Sequence, residues 1–129
     1  RIGTAEIYRS VAGIPEVQDS LIVNLDLSGE RFYMPLFVKL HEGQTLTDEL
    51  KKKINLKLRS DYSPRHIPDA IFQIDEIPYT LTGKKMEIPV RKILMGMDTA
   101  KAANKDAMSN PQALGYFVKF RNDQNAYKL

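Results

Sequence analysis

Leu21-Ile22-Val23-Asn24-Leu25-Asp26-Leu27-Ser28-Gly29-Glu30-Arg31-Phe32-Tyr33-Met34-Pro35-Leu36-Phe37-Val38-Lys39-Leu40 is the stretch on which the fold turns. Leu21, Val23, Leu25 and Leu27 alternate with Ile22, Asn24 and Asp26, the period-two pattern of a half-buried strand. Ser28-Gly29-Glu30 reads as a turn, and Phe32, Met34, Leu36, Val38 and Leu40 resume the same period. The pair predicts an antiparallel hairpin. Pro35 has no N–H for a ladder, so its strand is expected at a sheet edge or at a bulge.

Helical patterns lie on both sides. Ala5 to Ala12 predicts a short helix, with Thr4 as its N-cap, Gly13 just past its end and Pro15 stopping it. Thr47-Asp48-Glu49 opens the longest helix with a cap and acids in the first turn. Leu50, Ile54 and Leu58 share one of its faces, while Lys51, Lys52, Lys53, Lys57 and Arg59 fill much of the rest. Pro64 and Pro68 stiffen the connector, and Ala70 to Ile74 is a short apolar run that reads as a buried strand. Pro89 suits the first turn of a helix whose apolar stripe is Val90, Ile93 and Leu94. Asp98 to Asn110 reads as an extended wrap or linker, and Pro111 restarts a helix able to dock through Leu114, Phe117 and Val118. The expected fold is α+β: a small sandwich with a mainly antiparallel three-stranded sheet, a β-hairpin and flanking helices.

Composition narrows the function classes. The chain has 129 residues, 43% of them hydrophobic, enough for one core that buries about two-thirds of the unfolded surface. No apolar run approaches the ~18 residues of a membrane span. There is no Cys, which removes disulfides and thiolate metal sites. A net charge of +3 favours a phosphate-bearing partner only weakly. The aromatics do not interleave with basic residues as a nucleic-acid platform would, so neither nucleic acid nor membrane is an expected partner. His41 and His66 stand apart from each other and from clustered carboxylates, so no metal site is expected in this chain, nor a Ser-His-Asp arrangement.

The stretch that bears on chemistry is Ile77-Pro78-Tyr79-Thr80-Leu81-Thr82-Gly83-Lys84-Lys85. It presents an ammonium on a loop. It is not a P-loop, because the four-residue gap to an earlier Gly and the hydroxyl after Lys are both missing. On spacing alone, Gly83-Lys84 reads as an ordinary solvated turn. In a water-excluded site the same Lys could offset developing negative charge. Arg59, beside the Pro-bounded connector, could fork onto a phosphate; the Lys-rich face itself is ordinarily just solvated.

Three ordered motifs carry a resemblance. Arg1-Ile2-Gly3-Thr4-Ala5-Glu6-Ile7, Ser63-Pro64-Arg65-His66-Ile67-Pro68-Asp69 and Glu76 to Lys85 together resemble the C-terminal domain of the acyl-adenylate-forming superfamily. Gly83 to Leu94 and the tail Ser109 to Phe117 are most similar to its acetoacetyl-CoA synthetase branch. Thr82 stands where the broader family has Ser, and Tyr79 where a basic residue is common.

The resemblance implies a two-step ligase using ATP and CoA. A carboxylate attacks ATP to give an acyl-adenylate and pyrophosphate, and the CoA thiol then displaces AMP. It implies a catalytic role for Lys84, which bridges acid and nucleotide, and nucleotide binding by Arg1. It implies CoA binding by Arg59 and Gly3, and positioning by Glu6, Gly83, Thr80 and Thr82. The partner would be the protein's own large N-terminal adenylation domain, where Mg2+ is expected. Residues 1–97 are then expected to form a mobile C-terminal domain and 98–129 an extension with a docking helix. Arg1-Ile2-Gly3, without an initiator Met or a signal pattern, is expected to be interior to a longer, cytoplasmic protein. An exposed Lys84 would also suit a lysine acetyltransferase and deacetylase, since acetylation removes its charge. The alternatives are a CoA ligase for acetate or propionate, and a non-enzymatic nucleotide- or RNA-binding module.

Overall fold

The computed structural model describes residues 3–27, 29 and 31–123. They form two compact units that interleave along the chain, one from residues up to 22 and 34–75, the other from 23–33 and 76 onward. The division follows from how the long alternating stretch is used. Its two arms pair antiparallel, as the hairpin pattern predicts, but in two separate ladders. Val17–Ile22 (β1) pairs antiparallel with Pro35–Leu40 (β4) in the first unit. Leu25–Leu27 (β2) pairs with Arg31–Tyr33 (β3) as a separate two-stranded ribbon in the second.

In the first unit the strand order is β1-β4-β5, with β5 at Ala70–Gln73. The fold class holds as expected, but the sheet is mixed, because β4 and β5 run parallel, Pro35 opposite Ala70 through Val38 opposite Gln73. Between them lies Asp48–Asp61 (α2), a crossover long enough to bring the chain back in the same direction. β4 is therefore central, not the edge strand that Pro35 suggested. Pro35 is the first residue of its strand, where a missing N–H interrupts no ladder interior. The register irregularity lies in β1, between Val17 and Asp19. Leu36, Phe37 and Val38 are all fully buried, as expected of a central strand covered on both faces.

Thr4–Ala12 (α1) and α2 supply the helical side of this unit's core. Ile7 and Val11 join Leu50, Ile54 and Leu58 in one cluster with Val38 of the sheet. Thr47 caps α2 as its sequence predicts, its hydroxyl oxygen accepting from Leu50 N at 3.1 Å. α1 differs from expectation at its start. Gly3 is the N-cap, in extended conformation, and Thr4 is the first helical residue.

The second unit holds the β2–β3 ribbon, the Lys84 loop and the C-terminal helices. Glu87–Leu94 (α3) and Leu114–Asp123 (α5) bury Val90, Ile93 and Leu94 on one and Leu114, Phe117 and Phe120 on the other. Val118, expected to dock, is only half-buried. Arg121 donates to Ile93 O, in the last turn of α3, at 3.0 Å and to Met97 O, just beyond it, at 3.3 Å. Arg91 Nε donates to Asn24 O at 3.1 Å, tying α3 to the start of the ribbon. The segment expected to be an extended linker contains Thr99–Ala102 (α4) and a 3-10 turn at Lys105–Ala107. Its Ala content favours helical turns, and the Asn104 side chain caps the second by accepting from Asp106 N at 3.0 Å. Among the described residues no helix is long and apolar enough to cross a membrane.

Candidate functional site

The Lys84 loop belongs to the second unit, and its backbone is closely determined. Thr80 and Lys84 face each other across a tight turn. Thr80 N donates to Lys84 O and Gly83 N to Thr80 O, both at 2.9 Å. Lys84 N donates to the Thr80 hydroxyl oxygen at 3.0 Å, and the Thr80 and Thr82 hydroxyls lie 3.1 Å apart. Tyr79 and Lys85 form an antiparallel bridge below the turn. Gly83 closes it at φ 84°, in the left-handed region where a side chain is strained. Three of the residues assigned positioning roles (Thr80, Thr82 and Gly83) therefore build one small frame around Lys84. The lysine side chain is exposed, and among the described residues no carboxylate pairs with its ammonium. A solvated, unpaired ammonium on a fixed backbone is available to an external anion.

The other expected residues lie in the first unit. Arg1 falls outside the described residues. Gly3 is exposed, and a Cβ built on it would meet only Glu6 Oε1, at 4.0 Å. Nothing among the described residues requires a glycine there. Glu6 stands in the first turn of α1, where the helix dipole favours a carboxylate. Arg59 is exposed in the last turn of α2, with no ion-pair partner among the described residues.

Glu6 is tied down by a residue that sequence reasoning set aside. His66 Nε2 lies 2.9 Å from Glu6 Oε1, and His66 Nδ1 lies 2.8 Å from the Ser63 hydroxyl. Ser63 Oγ accepts from Arg65 N at 3.2 Å, so its own proton is available to Nδ1. The arrangement that uses every proton has Ser63 donating to Nδ1 and Nε2–H donating to Glu6. Ser63, His66 and Glu6 thus form a line that the sequence did not predict. Ser63 also caps its 3-10 turn, so the line ties Glu6 of α1 to that turn. The Tyr62 ring stacks on His66 at 4.9 Å, and its hydroxyl accepts from Arg9 Nη1 at 3.0 Å. The i, i+3 spacing of Ser63 and His66 across Pro64 was the available signal. The partner Glu6 gave none, being 60 residues away.

The basic face of α2 is partly neutralised. Lys53 pairs with Glu16 at 3.0 Å and Lys57 with Asp61 at 2.8 Å. Asp61 also accepts from the buried Ser10 hydroxyl at 2.7 Å. Lys57, and after it Ser10, hold the Asp61 carboxyl below the ordinary aspartate range. The Lys53 hydrogen bond, helped by a backbone N–H, does the same for Glu16. Among the described residues no group of three or more His, Cys, Asp or Glu could hold a metal ion.

Known proteins share a similar sequence and fold. The chain is 43% identical over 122 residues to an acetoacetyl-CoA synthetase of Caenorhabditis elegans, a match covering 94% of this chain and 17% of that protein. It is 40% identical over 118 residues to the acetoacetyl-coenzyme A synthetase of Rhizobium meliloti, covering 92% of this chain and 18% of that one. The solved acetoacetyl-CoA synthetase from Streptomyces lividans superimposes with a TM-score of 0.87 at 38% identity, over 96% of this chain and 18% of that chain. No family model matches. The chain therefore spans 17 to 18% of the length of these relatives, in their C-terminal part.

Proposed function

Taking as premise a chain that resembles, along nearly its whole length, the C-terminal part of acetoacetyl-CoA synthetases in the acyl-adenylate-forming superfamily, we propose that it is the small C-terminal domain of an acid–thiol ligase joining acetoacetate to CoA. ATP is cleaved to AMP and pyrophosphate through an acyl-adenylate. The observation that carries this reading is the Lys84 ammonium, exposed and, among the described residues, without a carboxylate partner, on a backbone fixed by Thr80 and Gly83.

Two anions, a carboxylate and a triphosphate, must approach each other in the first half-reaction. Lys84 lies between them and offsets the repulsion as charge moves toward pyrophosphate. A preorganised cation of this kind acts most strongly once water is excluded. In the second half-reaction the α1 segment takes over. Gly3 leaves room for CoA, Glu6 holds that turn in place through His66, Arg1 contacts the nucleotide phosphate, and Arg59 forks onto a phosphate of the CoA nucleotide. The acid and Mg2+–ATP bind the larger N-terminal portion, and the ligase works in the cytoplasm.

The test uses the full-length protein with Lys84→Ala. Acetoacetate-dependent pyrophosphate release should fall by about 100-fold or more, while thioester formation from supplied acetoacetyl-adenylate persists. If both half-reactions are unchanged, the reading of Lys84 is wrong. A panel of acetate, propionate and acetoacetate on the unmodified protein tests the acid, and a preference for acetate or propionate rejects that part.

A further inference from the structure

We propose that Asn110, with the backbone of residues 107–109, is the clamp that positions the Lys84 loop for the adenylation step. The proposal rests on the reading of Lys84 given above and extends it to a segment with no assigned part in the chemistry.

The loop is paired on both of its edges. On one side, Tyr79 and Thr80 face Lys85 and Lys84. On the other, Thr80 forms an antiparallel bridge with Met108. There, Ser109 N donates to Tyr79 O at 3.1 Å and Leu81 N to Ala107 O at 2.9 Å. Met108 is buried, so this second edge is anchored in the core of its unit. Tyr79-Thr80 is thus the middle line of a miniature three-line ladder, and Thr80 is the residue that holds Lys84.

Asn110 closes the ladder on its Met108 edge. On the Lys85 edge backbone pairing runs on to Pro78, whose carbonyl accepts from Met86 N at 3.1 Å; on the Met108 edge it ends at the bond from Ser109 N to Tyr79 O. The Asn110 side chain continues from there: its Oδ1 accepts from Tyr79 N at 3.0 Å, and its Nδ2 donates to Ile77 O at 2.8 Å. Both functions of one amide are used on the two residues that flank Pro78. Asp would keep the acceptor and set a charge against Ile77 O. Ala would keep neither bond. Both bonds lie in a half-buried place, where an unmet polar group is costly.

The consequence is mechanical. With Asn110 in place, the base of the turn is fixed and the Lys84 backbone follows. Without it, the ammonium samples a wider volume and is less often where the two anions meet. Such misplacement lowers the rate of the step that uses the lysine and spares the step that does not.

The experiment compares Asn110→Ala, Asn110→Asp and Lys84→Ala in the full-length protein. Both half-reactions are assayed, with deuterium uptake by the segment 77–84. For Asn110→Ala the expected result is a fall of about 10- to 100-fold in kcat for acetoacetate-dependent pyrophosphate release, with thioester formation from supplied acyl-adenylate within about twofold of normal. Uptake by 77–84 should quicken, and Asn110→Asp should fall between the two. Normal pyrophosphate release by Asn110→Ala, with Lys84→Ala inactive, would overturn the clamp alone. Equal losses in both half-reactions would also overturn it, since that marks a general defect of folding. If Lys84→Ala itself releases pyrophosphate normally, the functional reading falls, and the clamp's catalytic role falls with it.

Discussion

Gly83 shows how much one residue can decide. It takes φ 84°, and a Cβ built there would meet nothing within 4 Å. Any cost of a side chain is therefore in the backbone and not in packing. Gly83→Ala should destabilise the protein by about 1–2 kcal/mol, the penalty of a left-handed residue with a Cβ. A urea titration checks this, and an unchanged midpoint would show that the turn relaxes without loss. The Thr-x-Thr-Gly-Lys spacing made this turn legible in the sequence, because the bonds that close it, among Thr80, Gly83 and Lys84, fall within five residues. His66 and Asn110 were not legible in the same way. His66 finds Glu6 at a separation of 60 residues, and Asn110 finds Tyr79 and Ile77 at separations of 31 and 33. Neither side chain has a local pattern that announces its partner.

At the scale of elements, the α2 cap, the apolar stripes and the antiparallel pairing of the two arms were readable, and the parallel pairing of β4 with β5 was not. The α2 cap and its buried face follow from Thr47, Leu50, Ile54 and Leu58. The alternation from Leu21 to Leu40 identified strands, yet it could not say that the chain changes sheets after Ile22 and again before Pro35. Period two specifies a face, not a partner. The coupling of α1 to α2 carries a pH signature. Lys57 and Ser10 lower the Asp61 carboxyl below its unfolded value of about 3.9. A lowered carboxyl stabilises the fold above that unfolded value, and the contribution disappears as pH falls through the folded one. Asp61→Asn should thus be less stable than the parent at pH 7, and the gap should close as the pH is taken below about 4. Urea midpoints at neutral and acid pH measure it. A gap that stays constant with pH would mean that Asp61 acts through its shape and not its charge.

At the scale of the whole molecule, the two units each have their own core. Ile54 in the first and Phe117 in the second are fully buried. Ile54→Ala should cost about 2–5 kcal/mol and Phe117→Ala about 3–5 kcal/mol, as transfer and cavity terms add. Leu56, on the same helix as Ile54 but 64% exposed, is the control. Leu56→Ala should change stability by less than about 0.5 kcal/mol. Denaturant unfolding of the three variants tests the assignment, and a large loss at Leu56 would place the core elsewhere.

What the sequence determined by itself is local: the α2 cap, apolar stripes, the turn around Lys84 and the order of motifs that carries the family resemblance. These depend on residues a few positions apart, whose geometry the chain sets as soon as it adopts a helix or a turn. The tertiary structure alone decided the rest. It made the sheet mixed by returning through α2, put Pro35 at the start of a central strand, and gave the β2–β3 ribbon to the second unit. It also brought Glu6 to His66 and Asn110 to the Lys84 loop. Those outcomes depend on hydrogen bonds and burial between distant segments, which compete globally for the same backbone groups and leave no periodic trace in the chain.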